Sequence, residues 1–213
     1  MREKKLYLSS RLRAMSPGFV RRIYRVFRSL GTQAGSASLP ERLVENCRFC
    51  SSRGRLLEHL PANGVGCEVG TYKGDFAREI MKRCRPRELH LIDIDYTHFN
   101  DEGLLDPCVT RHEGHSVDQL SGFSDEFFDW IYIDGDHSYE SVLADARTSA
   151  PKIKPGGYIV FNDFAHIDPS LGRYGVHRAA VDFALEKDWP LALFAYQNSA
   201  LYDVAFQKPE AAD

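Results

Sequence analysis

A chain of 213 residues with 43% apolar and 27% charged side chains is long enough to bury one ordinary hydrophobic core, and it reads as a soluble globular domain with a tail. Its formal net charge is −3, and no run approaches the roughly 18 uninterrupted apolar residues that a membrane-spanning helix needs. The five cysteines, Cys47, Cys50, Cys67, Cys84 and Cys108, are odd in number and confined to residues 47–108, which argues against a disulfide framework and for a reducing, cytoplasmic setting.

Residues 1–30 hold nine lysines and arginines against Glu3 alone, a balance of +8 that leaves −11 for residues 31–213. This leader is a separate electrostatic object. Its stretch FVRRIYRVFRSL sets Phe19, Ile23, Val26, Phe27 and Leu30 at helical spacing with arginines between them, which predicts a basic amphipathic helix. Such a helix suits a peripheral contact with an anionic membrane surface, an acidic substrate, a cap over an active site, or plain packing on the acidic body. Its Arg- and Ser-rich, acid-poor composition also fits an organelle transit peptide. GTQAGSAS, residues 31–38, is a small-residue linker. The chain therefore divides into a leader and linker over 1–38 and one domain over 39–213.

Helical and strand periods then alternate. A helix is expected over 41–60, a strand over 64–70, a helix over 75–84, and strands over 88–94, 108–114 and 128–134. There follow a helix over 138–153, a strand over 156–163, a helix over 176–187, and strands over 191–197 and 201–207. Strands alternating with helices call for a doubly wound, mostly parallel α/β sheet of seven strands, Rossmann-like in plan. The last two strands are joined by only a few residues, too few for a parallel crossover, so they form a C-terminal antiparallel hairpin near the sheet edge. There is no internal repeat. Cys47 and Cys50 form one C-x-x-C without a second pair at zinc-ribbon spacing, which gives no zinc site. Nothing in the acidic body signals nucleic-acid binding.

Ligands bind such sheets beyond the carboxyl ends of the strands, near the reversal of strand order. At the first strand end, GCEVGTYKGDF (66–76) carries Glu68, Gly70 and Gly74 through a tight turn into a helix. It lacks the third glycine of a dinucleotide fingerprint, and Gly74 is followed by Asp75 where a P-loop needs Lys. The glutamate points to a cationic or hydroxyl-rich ligand. The second strand end, LIDID, delivers Asp93 nineteen residues beyond Gly74, where a carboxylate meets a ribose diol in nucleoside-binding folds. IYIDGDHSYE then puts Asp134, Asp136 and His137 after a buried strand, and GGYIVFNDF ends the next with Asn162 and Asp163. Neighbouring strand ends lie about 5 Å apart, so Asp134, Asn162 and Asp163 could converge on a hard cation. Alternatively Asp136 and Ser138 merely cap the following helix.

EVGTYKG followed by LIDID resembles the first two motifs of class I S-adenosylmethionine-dependent methyltransferases, and the intervening tyrosine is similar to that of the catechol and caffeoyl-CoA O-methyltransferases. IDGDHSYE with the later PGG and ND is similar to the metal-dependent O-methyltransferases of macrolide and aminocoumarin sugars, grouped as methyltransferase domain family 24. The resemblance covers residues 64 to about 207. It implies that Gly70, Thr71, Tyr72, Lys73 and Gly74 cradle the methionine end of S-adenosylmethionine, with Glu68 close by. Asp93 and Ile94 would meet the ribose, His115 and Ser116 the adenine, and Asp134 would border the cofactor. It also implies Mg²⁺ or Mn²⁺ on Asp134, Asn162 and Asp163, with His137 as general base beside Asp134.

An imidazole titrating near neutrality suits removal of a hydroxyl proton before in-line methyl transfer, and the resemblance implies a small or glycosylated hydroxyl compound as the acceptor. His166 and His177 flank GRYGV, a loop expected to border the acceptor pocket. Two departures stand out. Phe76 occupies the place of a serine that contacts the cofactor carboxylate in the catechol enzymes, leaving that contact to backbone amides or Lys73. Asn162-Asp163 replaces the family's Asp-Asp or Asp-Asn. The competing readings are metal-independent transfer to oxygen or nitrogen, a nicotinamide-dependent oxidoreductase, and a cofactor-binding module without turnover. Association with a second copy of the chain stays open.

Overall fold

The computed structural model describes residues 38–165, 167–168, 172–173, 175–198 and 200–210. The basic leader, most of the linker and His166 lie outside them. In chain order the elements are β1 Arg48–Cys50, α1 Arg53–Leu57, β2 Val65–Val69, α2 Asp75–Cys84, β3 Glu88–Asp93, β4 Val109–Glu113 and α3 Ser116–Ser121. They continue with β5 Phe128–Ile133, α4 Tyr139–Ser149, β6 Ile153–Phe161, β7 Ile167–Asp168, β8 Gly172–Arg173, α5 Val176–Lys187, β9 Leu191–Ala195 and β10 Asp203–Gln207.

Eight of these strands form one sheet in the order β1-β9-β10-β6-β5-β2-β3-β4, and β7 pairs with β8 in a separate ribbon. Within the large sheet β10 runs antiparallel to both β6 and β9 and the other pairs are parallel, while β7 and β8 are antiparallel. The predicted hairpin is thus β9–β10, with the returning strand inserted between β6 and β9. Helices cover both faces. α4 and α5 pack Val142, Ala146, Ala179, Ala180 and Phe183 against Val69, Ile131 and Ile133. On the other face α1 and α2 pack Leu56, Leu57, Ala77 and Ile80 against Trp130, Tyr132 and Val160. Burial on both sides explains why β2, Val65–Val69, is solvent-free along its whole length. Gly66 is where the faces are tightest, because a Cβ there would lie 2.0 Å from the Trp130 ring.

The helix expected over 41–60 is not continuous. It breaks into a 3-10 turn at Glu41–Leu43, strand β1 and the short helix α1. The outer edge of β9 offers unpaired backbone groups, and residues 48–50 satisfy them, a tertiary demand that overrides local periodicity. Ser52 restarts the helix by accepting the Arg55 N–H at 3.2 Å. The sheet therefore has eight strands instead of the expected seven. The turn of helix at Ser116–Ser121 and the two-residue strands β7 and β8, all too short to show a period, are further missed elements. Among the described residues no helix is long and apolar enough to cross a membrane.

The register lines up one rim of the sheet. Val69 lies beside Ile133 and Ile92, Ile133 beside Phe161, and Asp93 beside Glu113. The backbone ladder continues one residue further: Gly70 N–H donates to Ile92 at 2.8 Å, Asp134 N–H to Val69 at 2.8 Å, Asn162 N–H to Ile133 at 3.0 Å and Gly114 N–H to Asp93 at 2.9 Å. The residues that leave the strands are thereby fixed side by side. Strand order reverses between β2 and β5, so the switch point lies between Gly70 and Asp134.

Candidate active site

At that switch point Gly70 has φ +89°, and a Cβ on it would stand 2.3 Å from the Asp134 carbonyl oxygen. Glycine is required there both by the left-handed backbone and by the approach of β5. Tyr72 is also left-handed, φ +49°, a conformation that costs a side-chain-bearing residue about 1–2 kcal/mol. Its N–H donates to Asp93 Oδ2 at 2.6 Å, and the Asp95 N–H to Asp93 Oδ1 at 3.2 Å, so the second strand end straps the turn of the first. Gly74, φ +79°, opens α2.

The turn borders a cavity of ≈ 570 Å³ whose walls include Gly70, Tyr72, Asp93, Ile94, Gly114, His115, Ser116, Asp134 and Asp145. A neighbouring cleft of ≈ 320 Å³ shares Gly70, Tyr72 and Asp134 and reaches Glu68, Thr71, Lys73 and Phe76. The volumes suit a nucleoside-sized ligand with an extended arm. Of the residues singled out from sequence for this ligand, all but Gly74 line one of the two spaces; Gly74 shapes the turn from behind, against Phe99 and Leu104.

Glu68 is fully buried, and neither carboxyl oxygen has a hydrogen-bond partner among the described residues. Burial, with the charge of Asp134 adding to it, pushes its carboxyl up to about 8. An orphaned acid at the wall of a cleft is costly unless a donor or cation arrives. Asp134 is pushed up to about 7, first by burial and then by Asp163 and Asp203, against the pull of Arg53.

The ends of β5 and β6 form a second cluster. His137 Nε2 lies 3.3 Å from Asn162 Oδ1 and 3.7 Å from both Asp134 Oδ1 and Asp163 Oδ2. Asn162 Nδ2 donates to Asp203 Oδ1 at 3.2 Å, which turns its oxygen towards the imidazole. Asp203, the first residue of β10, is buried and also receives Gln197 at 2.7 Å and the Tyr132 hydroxyl. Arg53, from α1, donates to Tyr132 Oη at 2.9 Å, sits 3.6 Å from Asp134 Oδ2 and 3.3 Å from Asp203 Oδ2, and stacks 3.8 Å over the Phe76 ring. Phe76 also packs against Tyr132. Asp136 turns away to Ser138 and Ser141, and Ser138 caps α4, so for this pair the capping expectation holds. His177 packs on Phe164 at 4.6 Å.

Residues 67–164 match the family model for a methyltransferase domain, family 24. An uncharacterized protein of Acanthamoeba polyphaga mimivirus is 29% identical over 110 residues, covering 46% of this chain and 50% of that protein, so the match spans about half the relative's length. Among solved structures, the N-methyltransferase NodS from Bradyrhizobium japonicum, in complex with S-adenosyl-L-homocysteine, superposes with a TM-score of 0.55 at 17% identity, over 74% of this chain and 86% of its own. A protein from Corynebacterium glutamicum gives a TM-score of 0.57 at 15% identity over 93% of both chains. Over residues 67–164 the chain is thus similar to a methyltransferase domain, and its fold is the one these solved structures share.

Three residues of the candidate site escaped the sequence reading. Arg53 and Asp203 come from outside the matched segment and meet Asp134 and Asn162 only through β1, α1 and the reversed β10. Asp145 did leave a signal: it is an acid on the buried stripe of α4, between Val142, Ala146 and Ser149.

Proposed function

We propose that the chain is a methyltransferase that moves a methyl group from S-adenosylmethionine to a hydroxyl of a small or glycosylated acceptor, with His137 as general base. The observation that carries the reading is the place of Asp134. Its side chain borders the cofactor cleft and stands 3.7 Å from the His137 imidazole, so cleft and base meet at one carboxylate. When bound, S-adenosylmethionine supplies the electrophilic methyl. The buried Glu68 faces the cationic end of the cofactor, the Gly70–Gly74 turn offers backbone donors to its methionine arm, and Asp93 accepts from the ribose hydroxyls beside Ile94. His137 takes the acceptor proton, and the carboxylates of Asp134 and Asp163 steady the imidazolium that forms. Much of the rate then comes from holding oxygen and methyl in line.

The residues also suit a divalent cation. Among the described residues no group of three or more His, Cys, Asp or Glu side chains is arranged for a metal. Mg²⁺ or Mn²⁺ would rest on the carboxylates of Asp134 and Asp163, the Asn162 amide oxygen and water, a set that fits a hard ion. When bound it would lower the pKa of an acceptor hydroxyl. A metal-independent route is the second reading, and the guanidinium of Arg53 beside Asp134 favours it, since the protein already provides a cation there.

Turnover with a labelled methyl donor, followed by location of the label on oxygen or nitrogen, tests the transfer. In the metal-assisted route EDTA abolishes turnover, Mg²⁺ restores it, and cofactor affinity stays unchanged; full activity in EDTA selects the Arg53 route. Asp93→Ala is expected to weaken S-adenosylmethionine binding by about 1–3 kcal/mol in isothermal titration. Unchanged affinity would mean that the ribose sits elsewhere.

A further inference from the structure

The walls of the larger cavity, which Glu68 does not line, include Ile94, Gly114, His115, Ser116 and Asp145. Asp145 has no place in the proposed mechanism. It comes from the middle of α4, is only 3% exposed, and has no cationic partner among the described residues. Among the described residues its carboxyl receives one hydrogen bond, from Ser116 Oγ at 2.5 Å on Oδ1. Holding Ser116 does not by itself call for a charge, because a neutral amide oxygen would accept the same hydrogen bond without the cost of burying an ion. Burial lifts the acid to about 6, and its ionised form can only accept. Ser116, having donated its proton to Asp145, also presents an acceptor. The Asp145–Ser116 pair therefore presents acceptors on a wall that also carries the exposed apolar side chain of Ile94, which suits a flat heterocycle with a donor on its edge.

We propose that Asp145 is the residue that selects adenine, its carboxylate accepting a hydrogen bond from the exocyclic amine of the base. The inference rests on the reading of this cavity as the S-adenosylmethionine site. A 6-oxo base would turn an acceptor towards an acceptor, and the buried carboxylate would be left unpaired. Sites built around a buried hydrogen bond discriminate in this way against analogues that cannot make it.

The test is isothermal titration of the full chain with S-adenosylhomocysteine and with its 6-oxo counterpart, S-inosylhomocysteine. The wild type is expected to favour the adenine ligand by about 10- to 100-fold. Asp145→Asn keeps the size of the side chain and an oxygen for Ser116 but adds a donor, so the preference should fall to within a few-fold of unity or reverse. Asp145→Ser, shorter and uncharged, should also flatten it, and serves if the asparagine variant fails to fold. Equal affinities in the wild type, or an unchanged ratio in a folded variant, overturn the assignment of Asp145 and leave the cofactor site standing. If neither ligand binds the wild type, the cavity is not the cofactor site and both readings fall.

Discussion

Glu68→Gln is expected to make the ligand-free protein more stable than wild type at pH 8 while weakening its hold on S-adenosylmethionine. The Glu68 carboxyl is raised in the folded state to about 8 from an ordinary 4.5, because it is buried and lies near Asp134. Below the ordinary value the acid is protonated in folded and unfolded chains alike, and burial costs little. As the pH rises from about 4.5 to 8 the unfolded chain releases the proton more readily, so wild-type stability falls across that window, by on the order of a few kcal/mol. Asp134, raised to about 7 by the same burial, shares in the slope. Glutamine has the same shape and no proton to lose, so the variant should show a flatter profile of denaturation midpoint against pH.

Binding reverses the preference. The positive charge of the cofactor draws Glu68 towards its ionised form, so wild type should release a proton on binding near pH 7. Titration in two buffers of different ionisation enthalpy measures that proton. Identical stability profiles for the two proteins, or no proton released by wild type, would remove Glu68 from its proposed place opposite the cofactor cation.

His137→Ala is expected to lower kcat by about 10²–10⁴, the range for loss of a general base, with cofactor affinity within a few-fold of wild type. The split follows from the layout: the imidazole faces Asn162, Asp134 and Asp163 at the ends of β5 and β6, whereas the cofactor cleft is built mainly by the ends of β2, β3 and β4. Added imidazole should restore part of the rate, since the lost group is a small proton acceptor next to a cavity. A variant that keeps its kcat would show that the ring only positions Asn162, and one that loses cofactor affinity in step with kcat would assign it to binding.

Much of the cofactor half was legible because its signals are local. Gly70 and Gly74 announce a turn, Glu68 sits in an otherwise apolar strand, and Asp93 follows at the spacing that one βαβ unit imposes. The parallel sheet was legible for a similar reason, since alternation of strand and helix periods permits few topologies. The short β1 and α3 were not, because elements of three and six residues show no period, and β1 exists only where the edge of β9 is there to pair with it.

By itself the sequence determined the α/β alternation, the closing β9–β10 hairpin, and the strand-end identities of Glu68, Gly70, Asp93, Asp134, His137, Asn162 and Asp163. Only the tertiary structure decided what surrounds them. The reversed strand β10 brings Asp203 beneath Asn162, 41 residues away in the chain, and so sets which atom of the amide faces the imidazole. α1 carries Arg53 to Tyr132, 79 residues on, and places a guanidinium beside Asp134. α4 slides Asp145 under Ser116, 29 residues back, and so adds a buried carboxylate to the cavity wall. Hydrogen bonds over such separations leave no periodic trace, because they depend on which strand ends the sheet order makes neighbours.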